Sequence, residues 1–293
     1  VCAPNTILAS NTSGLDINAL ANQVDRKEKV LGLHFFSPAN VSKLLEVVKT
    51  EKTSDYVLNT VLSFAKVIKK HAVVVGVCPG FVGNRMIFKY IDRAYELVLK
   101  GLKPHLVDEV IKDFGFPMGP FAMSDLTGLD LGWEQPLEAN DLRDVMCMHD
   151  RLGQKNGRGF YDYKDNRRGV PSEEVNQLIQ EFSRIKQIEP CKFNETEVLN
   201  QLLLSLINEG LKILEEGIVK RPSDIDVIYV YGYGWPAYKG GPMYYAQKVG
   251  LHKILDQLNE LKEKFGDFWT PAPLLEHLVE TKTRLKDWVM DHS

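Results

Sequence analysis

The stretch VLGLHFFSPANVSKLLEVV, residues 30–48, contains two apolar segments separated by a polar connection with a proline. The segments, residues 30–36 and 44–48, are short and rich in Leu, Val and Phe, as is typical of buried β-strands. Each contains one ionisable residue, His34 in the first and Glu46 in the second. Such residues are seldom buried without a partner. If the two strands adjoin, the histidine and the glutamate are expected to satisfy each other.

Strand and helix patterns alternate on both sides of this stretch. Two more short apolar runs lie at residues 6–10 and 72–77, and apolar residues at helical spacing occupy residues 16–24 and 54–68. Strands that alternate with helices predict a parallel or mixed sheet covered by helices. Residues 1–77 are therefore predicted to be the closing part of an α/β domain.

Beyond Cys78-Pro79-Gly80-Phe81, helical periodicity dominates, and one pattern occurs twice. AYELVLKGLKPHLVDEVIKDFGFPMGPF (residues 94–121) recurs in outline as LKILEEGIVKRPSDIDVIYVYGYGWPAYKGGPM (residues 211–243). We interpret the repeat as a duplicated helical domain; the alternative is two helical hairpins that share turn chemistry by chance. The predicted boundaries are 78–165 for the first copy, 166–195 for a linker and 196–293 for the second copy.

Composition excludes several classes of partner and site. The 293 residues include 36 Lys and Arg against 39 Asp and Glu, so the chain has no basic surplus to favour nucleic acid or anionic membranes. Its longest apolar runs are far shorter than the roughly 20 residues of a membrane span. The four cysteines form neither a Cys-x-x-Cys pair nor a zinc-finger spacing, so we expect reduced thiols and no metal site.

His34 differs from the other six histidines, which lie among polar or turn residues. If Glu46 accepts a hydrogen bond from one imidazole nitrogen, it fixes the tautomer and leaves the other nitrogen as a base. This arrangement is a catalytic dyad; the alternative is a buried pair that only satisfies its own hydrogen bonds. Ser10-Asn11-Thr12-Ser13 ends the first predicted strand, where the carboxyl ends of α/β strands form a ligand crevice.

Four ordered motifs resemble the L-3-hydroxyacyl-CoA dehydrogenase family of fatty-acid β-oxidation. They are SNTSGLDI (10–17), GLHFFSPANVSKLLEVV (32–48), PGFVGNRM (79–86) and FGFPMGPFAMSDLTGLD (114–130). YGYGWPAYKGGPMYYA (231–246) also resembles the peroxisomal multifunctional members, which join an enoyl-CoA hydratase domain to the dehydrogenase. The resemblance covers essentially the whole chain. It implies an α/β fold followed by an all-α region: the C-terminal part of a Rossmann-like NAD-binding domain, then two duplicated helical domains.

The resemblance also implies roles for individual residues. His34 corresponds to the catalytic base, Glu46 to its partner, and Ser13 to a serine that contacts substrate and nicotinamide. Asn84 corresponds to the asparagine that hydrogen-bonds the substrate, whereas the residues alone also allow it to be a helix N-cap. Single-function members have Asn at the position of Ser37. The expected cofactor contacts are Ser13, Ser37 and Asn11.

The implied reaction is oxidation of an L-3-hydroxyacyl-CoA to a 3-ketoacyl-CoA with NAD, in the peroxisome or alternatively the mitochondrial matrix. Gly76, Gly80 and Gly83 lack the spacing of the family's pyrophosphate-binding turn. We therefore expect an N-terminally truncated chain that binds NAD weakly and has little activity by itself. A peroxisomal address would be a C-terminal Ser-Lys-Leu type tripeptide, and a chain that ends in Asp291-His292-Ser293 leaves open whether one follows.

Two other functions and one question of assembly stay open. Another hydroxyacid dehydrogenase of the superfamily would use a lysine base, and a noncatalytic module would use the helices to bind a partner. The two copies are expected to pair through residues 87–99 and 202–214, so that the second copy braces the first and the full-length protein is a monomer. The alternative is an independent lobe on a linker around residues 162–174.

Overall fold

The computed structural model describes residues 2–164 and 168–288. Two structural units make up the chain: Val1–Lys89 with Leu204–Ser293, and Tyr90–Leu203. The C-terminal Asp291-His292-Ser293, to which the expectation about a targeting signal refers, lies outside the described residues.

Four strands of the first unit form one mixed sheet in the order β1-β2-β3-β4. The strands are β1 (Leu8–Ser10), β2 (Val30–Phe35), β3 (Leu44–Lys49) and β4 (His71–Val75). β1 pairs with β2 and β3 pairs with β4 in parallel, whereas β2 and β3 are antiparallel. In the β2–β3 register, His34 lies directly opposite Glu46. The predicted mixed sheet is therefore confirmed, and it places the two ionisable residues side by side.

Two helices connect these strands and cover the sheet. α1 (Ile17–Ala21) begins after Asp16, whose carboxylate accepts hydrogen bonds from two backbone N–H groups of the first turn. α2 (Asp55–Val67) begins after Ser54, whose hydroxyl accepts a hydrogen bond from the backbone N–H of Val57. One hydrophobic cluster joins α2 to the sheet, and its buried members are Leu31, Leu45, Val47, Val57, Val61 and Ala65. Burial of each large apolar side chain contributes about 1.5–3 kcal/mol, so this cluster fixes the sheet under the site.

α3 (Phe81–Leu99) starts immediately after the Pro79-Gly80 turn. Asn84 therefore lies within the first turn of the helix, so the interpretation of this residue as an N-cap is wrong. The helix thus begins before Asn84, and the Asn84 side chain is left to make contacts outside the helix. Gly80 has a φ of 75°, a conformation that glycine adopts at no steric cost.

The other helices follow the predicted all-α pattern. The first unit contains α8 (Glu195–Glu215) from Leu204 onward, α9 (Pro222–Gly232), α10 (Pro242–Val249), α11 (Leu251–Phe265) and α12 (Pro273–Glu280). The second unit contains α4 (Pro104–Phe114), α5 (Pro120–Thr127), α6 (Leu142–Met148), α7 (Glu173–Ile185) and a hairpin of β5 (Tyr161–Asp162) and β6 (Val170–Pro171). No helix within the described part of the chain is long and apolar enough to cross a membrane.

The repeated sequence pattern corresponds to two hairpins with the same local construction. α4 and α9 each have 11 residues, α5 and α10 each have 8, and all four begin with proline. Asp108 of α4 accepts hydrogen bonds from two backbone N–H groups at the start of α5. Asp226 of α9 accepts the equivalent bonds at the start of α10. This shared capping supports the duplication, while the boundaries at residues 78, 166 and 196 stay predictions.

Residues 166–195, the predicted linker, include α7. Val175, Ile179 and Phe182 are buried at helical spacing, and this apolar stripe is what makes the segment a packed helix. The charged residues of the first turn, Glu173 and Glu174, give the segment its linker-like composition. Positions 166 and 167 lie outside the described residues.

Candidate active site

His34 and Glu46 form a buried pair in the middle of the β2–β3 ladder. His34 Nδ1 lies 2.6 Å from Glu46 Oε2, and the side chains are 7% and 0% exposed. An ionised carboxylate can only accept a hydrogen bond, so Nδ1 is the donor and Nε2 keeps its lone pair in the neutral imidazole. The predicted contact is confirmed, while the catalytic roles of both residues stay predictions.

The second oxygen of Glu46 is also occupied. Glu46 Oε1 accepts a hydrogen bond from the backbone N–H of Gly83, at 3.0 Å. Gly83 belongs to the first turn of α3, whose unpaired N–H groups carry partial positive charge. The imidazole and the first turn of α3 thus each bind one oxygen of the Glu46 carboxylate.

Aromatic rings surround the His34 imidazole. The Phe36 ring centroid is 4.6 Å from that of His34, and the Phe81 centroid is 5.6 Å away. Within residues 2–164 and 168–288, no hydrogen bond is found to His34 Nε2. The imidazole is therefore fixed through one nitrogen and walled by apolar rings, with the other nitrogen available to a substrate.

Asn84 connects the start of α3 to the loop after β1. Its Nδ2 donates a hydrogen bond to the backbone carbonyl of Ser13, at 3.1 Å. A Cβ added to Gly14 would lie 3.5 Å from the Gly80 nitrogen, an ordinary van der Waals contact. Ser13 itself is exposed. Hydrogen bonds thus join His34 to Glu46, Glu46 to Gly83, and Asn84 to Ser13. Gly83 and Asn84 are neighbours in the chain, so all four predicted residues are connected.

The two remaining predicted residues occupy the same end of β2. Asn11 Oδ1 accepts a hydrogen bond from the Phe35 backbone N–H, at 3.1 Å, which ties the loop after β1 to β2. Ser37 is exposed and precedes a cis peptide bond to Pro38. In the described residues, its side chain makes no hydrogen bond to the other five predicted site residues. Contacts of Asn11 and Ser37 with a cofactor stay predictions.

Tyr233 is a member of this cluster that the sequence analysis did not identify. Its hydroxyl donates a hydrogen bond to Asn84 Oδ1, at 2.6 Å. Tyr233 lies in the α9–α10 connection, residues 233–241, which is longer than the α4–α5 connection of residues 115–119. The extra residues in the second copy are the one local signal that could have drawn attention to this position.

Arg85 anchors the same turn of α3 to α8. Its guanidinium contacts Glu209 through Nε at 2.6 Å and Glu216 through Nη1 and Nη2 at 2.5 and 2.7 Å. Nearby, burial raises the pKa of the Cys78 thiol, and the positive charge of Arg85 opposes this shift. The ion pairs keep the backbone next to Asn84 in place. No group of three His, Cys, Asp or Glu residues that could hold a metal ion is found among the residues the structure describes.

Comparison with known families agrees with this geometry. Residues 1–78 match "3-hydroxyacyl-CoA dehydrogenase, NAD binding domain", and residues 80–163 and 198–286 match "3-hydroxyacyl-CoA dehydrogenase, C-terminal domain". The match to the second description is interrupted between residues 163 and 198, the region that includes α7.

Full-length relatives are considerably longer than this chain. The peroxisomal bifunctional enzyme of Danio rerio is 42% identical, with 95% of this chain and 42% of the relative covered. The enzyme of the same name from Homo sapiens is 41% identical, with 98% of this chain and 43% of the relative covered. The peroxisomal fatty acid beta-oxidation multifunctional protein of Oryza sativa subsp. japonica is 35% identical, with 94% and 40% covered. The chain thus spans about two fifths of the length of these relatives.

Two solved structures share the fold. The dehydrogenase part of multifunctional enzyme 1 from C. elegans is 31% identical with a TM-score of 0.66, covering 94% of this chain and 65% of that one. The 3-hydroxybutyryl-CoA dehydrogenase of Escherichia coli has a TM-score of 0.79 at 23% identity, covering 96% and 77%, and supports the fold alone. Since the two domain descriptions together match most of its residues, the chain belongs to the 3-hydroxyacyl-CoA dehydrogenase family.

Proposed function

We propose that this chain carries the dehydrogenase chemistry of a protein that oxidises L-3-hydroxyacyl-CoA to 3-ketoacyl-CoA with NAD. The observation that carries the proposal is the His34–Glu46 pair, in which Nδ1 is fixed by a carboxylate and Nε2 is available. The alternative is a buried pair that only satisfies its own hydrogen bonds. The rival with a lysine base does not account for this imidazole.

His34 is the general base in this proposal. As hydride leaves C3 of the substrate, Nε2 takes the proton of the C3 hydroxyl, so that the carbon becomes a ketone and the ring becomes an imidazolium. Glu46 stabilises the imidazolium through Nδ1. A general base in this position contributes about 10²- to 10⁴-fold to the rate.

Asn84 and Ser13 orient the substrate. One proton of Asn84 Nδ2 is used by the Ser13 carbonyl, which leaves the second proton for an oxygen of the substrate. The exposed hydroxyl of Ser13 can both donate and accept, which suits a position between the substrate and the nicotinamide. These two groups hold the C3 oxygen toward His34.

The groups at the end of β1 fit a nicotinamide nucleotide. Asn11 uses Oδ1 for the Phe35 N–H, which leaves its Nδ2 as a donor, and the Ser13 and Ser37 hydroxyls are exposed. This set of amide and hydroxyl groups can hydrogen-bond the carboxamide and ribose of the nucleotide. NAD, when bound, supplies the hydride acceptor. Ser13, Asn11 and Ser37 are the residues that would hold its nicotinamide end.

The wider setting is also a proposal. The names of the relatives from Danio rerio, Homo sapiens and Oryza sativa support a multifunctional protein of peroxisomal β-oxidation. The resemblance of residues 231–246 to the multifunctional members adds a hydratase as its other activity. The two capped hairpins support a duplication, and on that basis we also propose a full-length monomer in which the second helical copy takes the place of a dimer partner. Sedimentation of the full-length protein as a dimer would contradict that part.

Turnover of defined acyl-CoA substrates tests the function. The full-length protein is mixed with NAD and an L-3-hydroxyacyl-CoA, and NADH is followed by its absorbance. We expect NADH to form with the L isomer and not with the D isomer. A folded protein that forms no NADH with substrates of any chain length would overturn the proposal and favour a noncatalytic role for the helices.

A further inference from the structure

We propose that Tyr233 is a positioning residue for the dehydrogenase reaction, because its hydroxyl fixes the side-chain amide of Asn84 with Nδ2 toward the substrate. The inference rests on the proposed function. It gives the second helical copy a direct part in the site, beyond the bracing role expected from its sequence. Tyr233 is not expected to touch the reacting atoms; it acts through Asn84.

The hydrogen bonds of Asn84 define the orientation of its amide. The Ser13 carbonyl can only accept, so the group 3.1 Å from it must be Nδ2. Oδ1 therefore faces Tyr233, and the phenol at 2.6 Å must be the donor. A flipped amide would bring oxygen against oxygen at Ser13. The two contacts together select one of the two amide orientations and leave one Nδ2 proton for the substrate.

Neighbouring groups hold the Tyr233 ring in place. The Tyr229 ring is stacked on it with centroids 4.9 Å apart, and the Phe36 ring meets it edge-on at 5.4 Å. Gly83 supplies the space for the phenol, since a Cβ at that position would lie 2.6 Å from a ring carbon and 2.7 Å from the hydroxyl oxygen. Phe36 also packs on His34, and the Gly83 N–H also binds Glu46. The Tyr233 phenol therefore contacts one neighbour of each member of the dyad.

The phenol also stays protonated. Burial, with a contribution from the negative charge of Glu46, raises the pKa of Tyr233 well above its ordinary value. A phenolate would repel Asn84 Oδ1, whereas the neutral hydroxyl donates to it at any pH at which the enzyme works. The Tyr233 hydroxyl is thus always protonated and donates its hydrogen bond to Asn84 Oδ1.

The test combines Tyr233→Phe with Asn84→Ala in the full-length protein. Phe keeps the ring contacts and removes only the hydroxyl. Loss of one neutral hydrogen bond and of the amide orientation is expected to lower kcat/KM about threefold to tenfold. In the Asn84→Ala background the same change should have less than about a twofold effect, because Tyr233 then has no amide to orient. Tyr231→Phe, an exposed tyrosine two residues away, is the matched control and should leave kcat/KM unchanged.

Two kinetic outcomes would overturn the inference. Wild-type kcat/KM in Tyr233→Phe would show that the hydroxyl contributes nothing. An equal loss in the presence and absence of Asn84 would show a general structural role, as would a matching fall in thermal stability.

A spectroscopic measurement separates this inference from the proposed function. The ¹⁵N-¹H signals of the Asn84 side-chain amide, assigned by their loss in Asn84→Ala, should show slow exchange in wild type and faster exchange in Tyr233→Phe. If wild type forms no NADH yet shows this difference, the proposed function fails and the orientation of Asn84 by Tyr233 stands. Signals identical in the two proteins would overturn the orientation whatever the turnover.

Discussion

His34 on β2 and Glu46 on β3 are direct cross-strand partners, with Nδ1 and Oε2 2.6 Å apart. Side chains alternate between the two faces of a strand, so a slip of one residue in this register would move Glu46 to the opposite face from His34. The apolar residues of the α2 cluster bury one face of the same strands and therefore fix the register. The geometry of the dyad is thus a consequence of how the sheet packs.

Replacing Glu46 with Gln should invert the tautomer of His34. The Gln carbonyl oxygen can still accept from the Gly83 N–H, which places the amide NH₂ group against Nδ1 and turns that nitrogen into an acceptor. Nε2 then carries the proton and cannot act as a base. We expect kcat to fall about 10²- to 10⁴-fold, with ¹⁵N chemical shifts of the ring reporting the new tautomer. Unchanged kcat, or an unchanged tautomer, would show that Glu46 does not set the state of the imidazole.

Gly83→Ala should disturb the site through Tyr233. A Cβ at this position lies 2.6 Å from the Tyr233 ring, closer than side chains tolerate, so the phenol must move away from Asn84. We expect kcat/KM to fall at least as much as in Tyr233→Phe. The matched control is Gly76→Ala, whose nearest contact would be an ordinary 3.5 Å to Ile218. Equal kinetics for the two alanine variants would contradict the close approach at Gly83.

The stability of the first unit should depend on the ionisation of Asp226. Burial raises the pKa of this carboxyl to about 7, partly opposed by hydrogen bonds from the N–H groups of Met243 and Tyr244. In the unfolded chain an aspartic acid titrates near a pKa of about 3.9. Between these values the folded state binds more protons, so the stability from this group is complete below about pH 4 and is lost as the pH rises toward 7.

The variant Asp226→Asn isolates this effect. The free energy of unfolding of wild type minus that of the variant should fall by an amount on the order of 4 kcal/mol between pH 4 and pH 8 and be constant at higher pH. Asp108 and Asp125, whose pKa values burial raises to about 6, are present in both proteins and cancel in the difference. A difference that does not vary with pH would show that Asp226 is ionised throughout.

The sequence predicted those parts of the site that depend on local pattern. His34 and Glu46 are each the single ionisable residue in a short apolar run, so their burial and mutual contact could be inferred without coordinates. The strands and α2 were also predicted. The strands are short continuous apolar runs, whereas α2 has apolar residues at helical spacing. The N-cap interpretation of Asn84 failed because it placed the helix start four residues too late, after the turn that actually begins α3.

The parts that were missed depend on contacts between distant segments or on a mixed composition. Tyr233 meets Asn84 across 149 positions of sequence, and no periodicity reports such a contact. The helix α7, which lies in the segment predicted to be a linker, was not singled out because its charged residues outnumber the three that form its buried stripe. In each case tertiary packing determines the structure, and the local sequence pattern does not identify the residues involved.

The steady-state rate of His34→Gln is the most direct test of the central claim, that His34 is the base of an NAD-dependent oxidation. The full-length wild-type protein, His34→Gln and the exposed control His71→Gln are compared in NADH formation from an L-3-hydroxyacyl-CoA, with thermal unfolding as the check on folding. We expect His34→Gln to lower kcat about 10²- to 10⁴-fold without loss of fold, and His71→Gln to resemble wild type. A His34→Gln protein that is folded and turns over at the wild-type rate would contradict the central claim.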